Sequence, residues 1–156
     1  MPRFKSFNSL ERYLKIRFPK ILRTSADIER VMAEAMSQAV YDVVYDYFEP
    51  ESYERRKDAG GLSDVRNMGI TSYGINENGE AFIIFENLTE GADNLQGQFT
   101  TDTIVYGISS NWQAPNGPWV DKRDFVGKTA EVLRDNPTKL LEAFKKALIE
   151  NGLQVK

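Results

Sequence analysis

From Ser25 to Phe48 the apolar residues recur three and four apart. Ile28, Val31, Met32, Ala35, Ala39, Val43 and Tyr47 form one helical stripe. Met36, Val40, Val44 and Phe48 widen that stripe beyond a half-buried face. Such width fits a helix wrapped inside its own domain, and it equally fits a helix touching core on one side and a neighbour on the other. Thr24 or Ser25 is the expected N-cap, with Asp27 and Glu29 in the first turn, where the helix dipole favours anions. Glu49-Pro50 ends the pattern, because proline lacks the N–H that a helix needs and pushes the preceding residue out of the α region.

Upstream, Leu10, Tyr13, Leu14 and Phe18 predict a short helix opening near Asn8-Ser9 and closing at Pro19. Downstream the period changes to two. Residues 68–75 and 80–87 read as an antiparallel hairpin around Asn76-Glu77-Asn78-Gly79, with Asn-Gly in the turn. Two strands are marginal in water, so the hairpin is expected to lie on the long helix or to gain strands elsewhere. Phe125, Val126, Thr129, Val132 and Leu133 predict a helix ending at Arg134-Asp135. Asn136 is the expected cap of a last helix with Pro137 in its first turn, a face of Leu140, Leu141, Phe144, Ala147 and Leu148, and Gly152 at its end. The fold class is α+β: a long N-terminal amphipathic helix packed on a small antiparallel sheet (68–75/80–87), with C-terminal helices. Residues 1–24 form a basic N-terminal arm with its short helix, and residues 25–156 a single domain.

Three stretches resist a periodic reading. Residues 88–100 are a polar loop; 101–107 is either a helical turn stopped by Gly107 or a short strand; 111–118 is a loop around Trp112, with Trp119 next. The two tryptophans fit core lids, and they fit interface anchors equally well. Between helix and hairpin lies Tyr45–Met68, dense in aromatic and basic side chains, with Gly60-Gly61 allowing a positive-φ bend or a close backbone approach.

Composition narrows the chemistry. The chain of 156 residues has no histidine and no cysteine, which removes His-based triads, thiolate nucleophiles, disulfides and the commonest zinc ligands. No catalytic role, metal or cofactor is expected. Asp42, Asp46 and Glu49 step along one helix face, but a solvated acidic stripe accounts for them more simply than a cation site. Neither a Walker-type nor a dinucleotide-type glycine loop occurs. No apolar run reaches the roughly twenty residues of a membrane span.

Charge is unevenly placed. Residues 1–24 carry seven cations against Glu11 alone, whereas residues 25–52 carry seven carboxylates against Arg30 alone. The basic arm either folds back on its own helix or reaches an acidic neighbour. A second copy of the chain suits it better than DNA, because the whole chain is acidic at net charge −3. The interface candidates are Arg12, Lys15 and Arg17 on the arm, Tyr53, Arg55, Arg56, Gly60, Gly61 and Leu62 in the central segment, and Trp112 and Trp119. Arginine and tyrosine bring flat area and directional donors to an interface. The plainer alternative is a self-satisfied turn in which the arginines bridge Glu51, Glu54 or Asp58.

Phe48-Glu49-Pro50, Tyr53, Arg55-Arg56, Gly60-Gly61-Leu62, Asp64 and Asn67-Met68, following an amphipathic helix, resemble the head–tail joining proteins of long-tailed bacteriophages. The similarity extends through the Asn-Gly hairpin, Thr103–Gly107, Asn116–Trp119 and the C-terminal Phe144–Leu148 and Glu150–Val155. It departs at Val105, where the family tends to place an acid, and at Asn116-Gly117. What the resemblance implies is a structural virion protein of the neck or tail-completion type, assembled in the host cytoplasm as a homo-oligomeric ring without catalysis. Its implied partners are further copies of itself and other neck, portal-adaptor or tail-tube proteins. A small carboxylate-dependent phage hydrolase and a cellular protein-binding module are the alternatives from other classes.

Overall fold

The computed structural model of the chain describes residues 5–46, 54–90, 100–106 and 122–153. Helix α1 spans Phe7–Thr24 and opens on a reciprocal capping box: Ser9 N donates to Ser6 Oγ (3.3 Å) and Ser6 N to Ser9 Oγ (3.2 Å). The cap is therefore Ser6, ahead of the expected Asn8-Ser9. Nor does the helix stop at Pro19, which lies inside it. A proline there costs roughly 3 kcal/mol. The last turn, however, takes Ile21 and Leu22 to 4% exposure, and burying each such side chain returns about 1.5–3 kcal/mol. Burial wins, and the helix runs through.

Ser25 ends α1 and starts α2 (Ala26–Val40), its hydroxyl accepting from Ile28 N at 3.4 Å. After Val40 the backbone widens into a π turn, Tyr41–Tyr45, with Asp46 N donating to the Tyr41 carbonyl at 2.9 Å. One extra residue in the turn rotates everything beyond it. Val44 and Tyr45 are buried and Val43 is only half-buried, so the expected stripe shifts by one position. Tyr47, Phe48 and the Glu49-Pro50 break lie outside the described residues.

The hairpin pairs β1 (Met68–Ile75) with β2 (Ala81–Asn87) in a two-stranded sheet. Its turn is three residues with Gly79 at φ +82°; Gly79 N donates to the Asn76 carbonyl and Asn76 N to the Glu80 carbonyl, both at 2.9 Å. Glu80 only closes the turn on Asn76, so β2 starts one residue later than expected. Residues 100–106 are a helix, α3 (Thr100–Tyr106), which resolves the strand-or-helix ambiguity. Helix α4 covers Phe125–Asp135, with Gly127 N donating to Asp124 Oδ1 at 2.6 Å. Helix α5 covers Thr138–Glu150, and Pro137 rather than Asn136 is its cap residue, its carbonyl accepting from Leu141 N. A Schellman closure ends α5 at Gly152, with Leu153 N on the Leu148 carbonyl and Gly152 N on that of Ile149. The fold is thus α+β, with five helices and one hairpin among the described residues.

Two compact units are present. The first comprises Met1–Met32, Ile70–Glu86 and Asn136–Lys156. In it α1 packs on α5 around Ile21, Leu22, Ala143 and Ala147, and the hairpin lies on the helices as expected: Ile70 N donates to Glu29 Oε1 (3.3 Å) and Arg23 covers the Tyr73 ring at 5.1 Å. Leu141 is 53% exposed, contrary to its expected place on the buried face of α5, which Ala143 takes instead. The second unit comprises Ala33–Gly69 and Asn87–Asp135. Its core holds Met36, Ala39, Val40, Val44, Leu62, Met68, Val105 and Phe125, with α4 against the π turn and Val126, expected inside, 40% exposed. Among the described residues no helix is long and apolar enough to cross a membrane.

Phe125 has no exposed surface. Phe125→Ala is expected to lower the unfolding free energy by roughly 3–5 kcal/mol, read as a fall in the urea midpoint.

Candidate functional site

The segment that follows α2 turns inward. Lys57 adopts φ +44° and Gly60 φ +90°, and the Gly61 amide donates back to the Lys57 carbonyl at 2.8 Å. A Cβ on Gly61 would meet the Lys57 backbone oxygen at 2.5 Å and nitrogen at 2.6 Å, so only glycine fits. Residues 61–64 are buried as a result.

Asp64 is the anchor of this turn. Its carboxylate, with 4% of the side chain exposed, accepts from Gly60 N (2.8 Å), Arg66 N (3.0 Å), Arg66 Nε (2.9 Å) and Arg66 Nη2 (2.6 Å). The Arg66 guanidinium, then the Arg66 and Gly60 amides, hold its pKa well below the usual carboxylate range against the opposing effect of burial. Ser63, 1% exposed, ties the turn to the helix: its amide donates to Tyr45 Oη (3.3 Å), its hydroxyl to Asp58 Oδ1 (2.6 Å), and its carbonyl accepts from Ser37 Oγ (2.8 Å). Tyr41 Oη donates to the same Asp58 oxygen at 3.0 Å.

The end of β2 closes the other side. Asn87 Nδ2 donates to the Leu62 carbonyl at 2.7 Å, and Asn87 Oδ1 accepts from Thr89 N (3.1 Å) and Thr89 Oγ1 (2.6 Å). Asn67 Nδ2 lies 3.2 Å from the Gly61 carbonyl and 3.3 Å from Thr89 Oγ1. Both Asn87 and Thr89 are buried, at 3% and 1% exposure.

These contacts decide where the expected site residues stand. Arg55 is half-buried; its Nη1 donates to the Tyr45 carbonyl (3.0 Å) and its guanidinium lies 4.9 Å from the Tyr45 ring centre. Arg56 is exposed and donates from Nη2 to the Glu90 carbonyl at 2.7 Å. Leu62 is core, at 8% exposure. The turn therefore brings together Arg55, Arg56, Gly60, Gly61 and Leu62, and Arg66, which was not among the expected site residues, pairs with the Asp64 carboxylate here. Arg12, Lys15 and Arg17 belong to α1 in the other unit: Lys15 pairs with Glu11 at 2.7 Å, Arg17 bonds the Tyr13 hydroxyl and covers its ring, and Arg12 is exposed. Tyr53, Trp112, Trp119 and Glu49 lie outside the described residues. No group of three Asp or Glu side chains converges among the described residues. In the first unit, α1, the hairpin turn and the end of α5 enclose an open groove of about 490 Å³ lined by Leu10, Leu14, Phe18, Ile75 and Leu148.

The turn and its flanking elements fall within one matched span, since the family model for YomN covers residues 6–150. The chain belongs to the YomN family. YomN is a phage-associated family. No curated protein and no solved structure matches the chain. Within this YomN chain, Arg66, Ser63, Asn87 and Thr89 are the residues that periodicity and charge did not single out. An Asp three residues after a glycine pair, and followed two residues later by Arg, is the local signal that marks such an Asx turn.

Two outcomes test the network. Asn87→Ala removes the hydrogen bonds that Asn87 makes to the Leu62 carbonyl and the Thr89 amide, and is expected to cost roughly 2–4 kcal/mol in urea unfolding. Asp64 has a lowered folded pKa, so its stabilisation is complete above its unfolded value near pH 4 and is lost as pH falls through the folded value. Asp64→Asn is expected to flatten the fall of stability between about pH 4 and pH 2 relative to the wild type, measured by urea titration at each pH.

Proposed function

We propose that this chain is a structural virion protein of a tailed phage, part of the head–tail connector, assembling as a homo-oligomeric ring without catalysis. The observation that carries the reading is membership, over residues 6–150, of a phage-associated family. The Phe48–Met68 pattern quoted above narrows it to the neck or tail-completion role. The partners in this reading are neighbouring copies and other neck, portal-adaptor or tail-tube proteins, and the location is the virion neck.

Charge gives the ring a physical basis. A closed ring uses heterologous contacts, so one surface must complement a different surface on the next copy. On α1, Arg12, Ile16, Lys20 and Arg23 follow one another at helical spacing and are all exposed. Among the described residues no ion pair joins a cation of α1 to a carboxylate of α2. Arg12, Ile16 and Lys20 of that stripe are then available to an acidic face of the next copy, such as the one carrying Asp42 and Asp46, whereas Arg23 covers the Tyr73 ring.

Purified particles are expected to contain the chain in fixed stoichiometry, with density at the head–tail junction by electron microscopy; particles lacking it would remove the reading. Because α1 is part of the packed unit, charge reversal replaces truncation as the probe. Arg12→Glu with Lys20→Glu is expected to lower self-association at low salt by at least about tenfold while the thermal midpoint holds, measured by sedimentation velocity.

A further inference from the structure

Arg66 is gripped along one edge only. Nε and Nη2 face Asp64, Nη2 also donates to the Asp58 carbonyl at 3.2 Å, and the side chain is still 74% exposed. Nη1 carries two further N–H donors, and no hydrogen bond to them is formed among the described residues. Apolar surface lies beside it. Val65, in the same 3-10 turn (Val65–Asn67), is 45% exposed, and Leu88, whose amide donates to the Asn67 carbonyl at 2.7 Å, is 38% exposed. Arg56 is fixed on the Glu90 carbonyl two residues beyond Leu88.

We propose that this face of the turn docks a second copy of the chain, Arg66 receiving a carboxylate of that copy between Val65 and Leu88. The contact rests on the self-assembly in the preceding reading and names a surface for it that is separate from α1. Three arguments support it. A guanidinium already oriented by a buried anion loses little further freedom when a second carboxylate arrives, so binding is not offset by side-chain ordering. An exposed arginine with exposed apolar residues next to it in the same turn and on the strand end bonded to that turn has the composition of an interface hot spot. The complementary charge is on the chain itself, which carries 23 carboxylate side chains and is acidic overall at net charge −3.

Sedimentation velocity of the full chain over a concentration series tests the contact. Arg66→Ala and Val65→Asp are each expected to weaken self-association by at least about tenfold, and Arg66→Lys to fail to restore it, since an ammonium lacks the planar fork. Arg66→Ala also removes the partner of Asp64, so Val65→Asp, which leaves that pair in place, is the control with an unchanged thermal midpoint. A wild type that stays monomeric, variants that assemble like the wild type, or full assembly by Arg66→Lys would each overturn the proposal. So would tight binding of duplex DNA that Arg66→Ala abolishes. Wild-type rings insensitive to Val65→Asp and Arg66→Ala would remove this contact and leave the virion reading standing, whereas particles lacking the chain would remove the virion reading.

Discussion

A carboxylate nearly sealed from water, and still charged, dictates the shape of the turn after α2. Asp64 keeps its proton off because two amides and a guanidinium converge on it. Without them, burial would favour the neutral acid. Each donor then constrains the chain. Aiming the Gly60 N–H at the carboxylate goes with a positive φ at that residue, and the chain then passes so close to Lys57 that residue 61 has no room for a side chain. Arg66 must curl back over two residues. Gly60, Gly61, Asp64 and Arg66 are thus four positions answering to one anion.

The π turn of α2 connects this anion site to the hydrophobic core. An uninterrupted α-helix would continue the stripe through Val43; the extra residue instead brings Val44 and Tyr45 inside. Tyr45 then makes three contacts with two neighbours at once. Its hydroxyl accepts from Ser63, its carbonyl accepts from Arg55, and its ring lies beneath the Arg55 guanidinium. A side chain facing the core on one side and a polar turn on the other suits an amphipathic ring. Of the aromatic and basic side chains of the segment, Tyr45 and Arg55 are used in this internal stacking.

Elements whose evidence is local were readable from the chain. The hairpin, α4, the closure of α5 at Gly152 and the Ser25 junction follow from period, turn chemistry and caps, and the structure has them within a residue or so. What was not readable depended on partners distant in sequence. Pro19 looks like a stop until Ile21 and Leu22 are seen in the core, because the local penalty is visible and the burial that offsets it is not. Leu141 and Ala143 exchange places because α5 packs closely on α1, where a small residue fits. Arg55 and Arg56 carry the composition of an interface, yet composition cannot tell a guanidinium aimed at its own backbone from one aimed at a neighbour. The glycine pair was readable as a close approach; the atom approached, the Lys57 backbone, was not.

The arrangement separates two kinds of information within one short motif. Gly60, Gly61, Leu62, Asp64 and Asn67 point their chemistry inward, so the pattern that likens the chain to neck proteins encodes a backbone shape. Val65, Arg66 and Leu88 lie between and beside those positions with substantial surface exposed. No described hydrogen bond uses the side chain of Val65 or Leu88, so either can change without disturbing the turn. Arg66 is the exception, because it is bound to the buried anion and open to solvent at once. A substitution there acts on the fold and on any docked partner together, which couples the stability of the turn to the surface it presents. Specificity can then be rewritten around Arg66 while the frame that orients it stays the same.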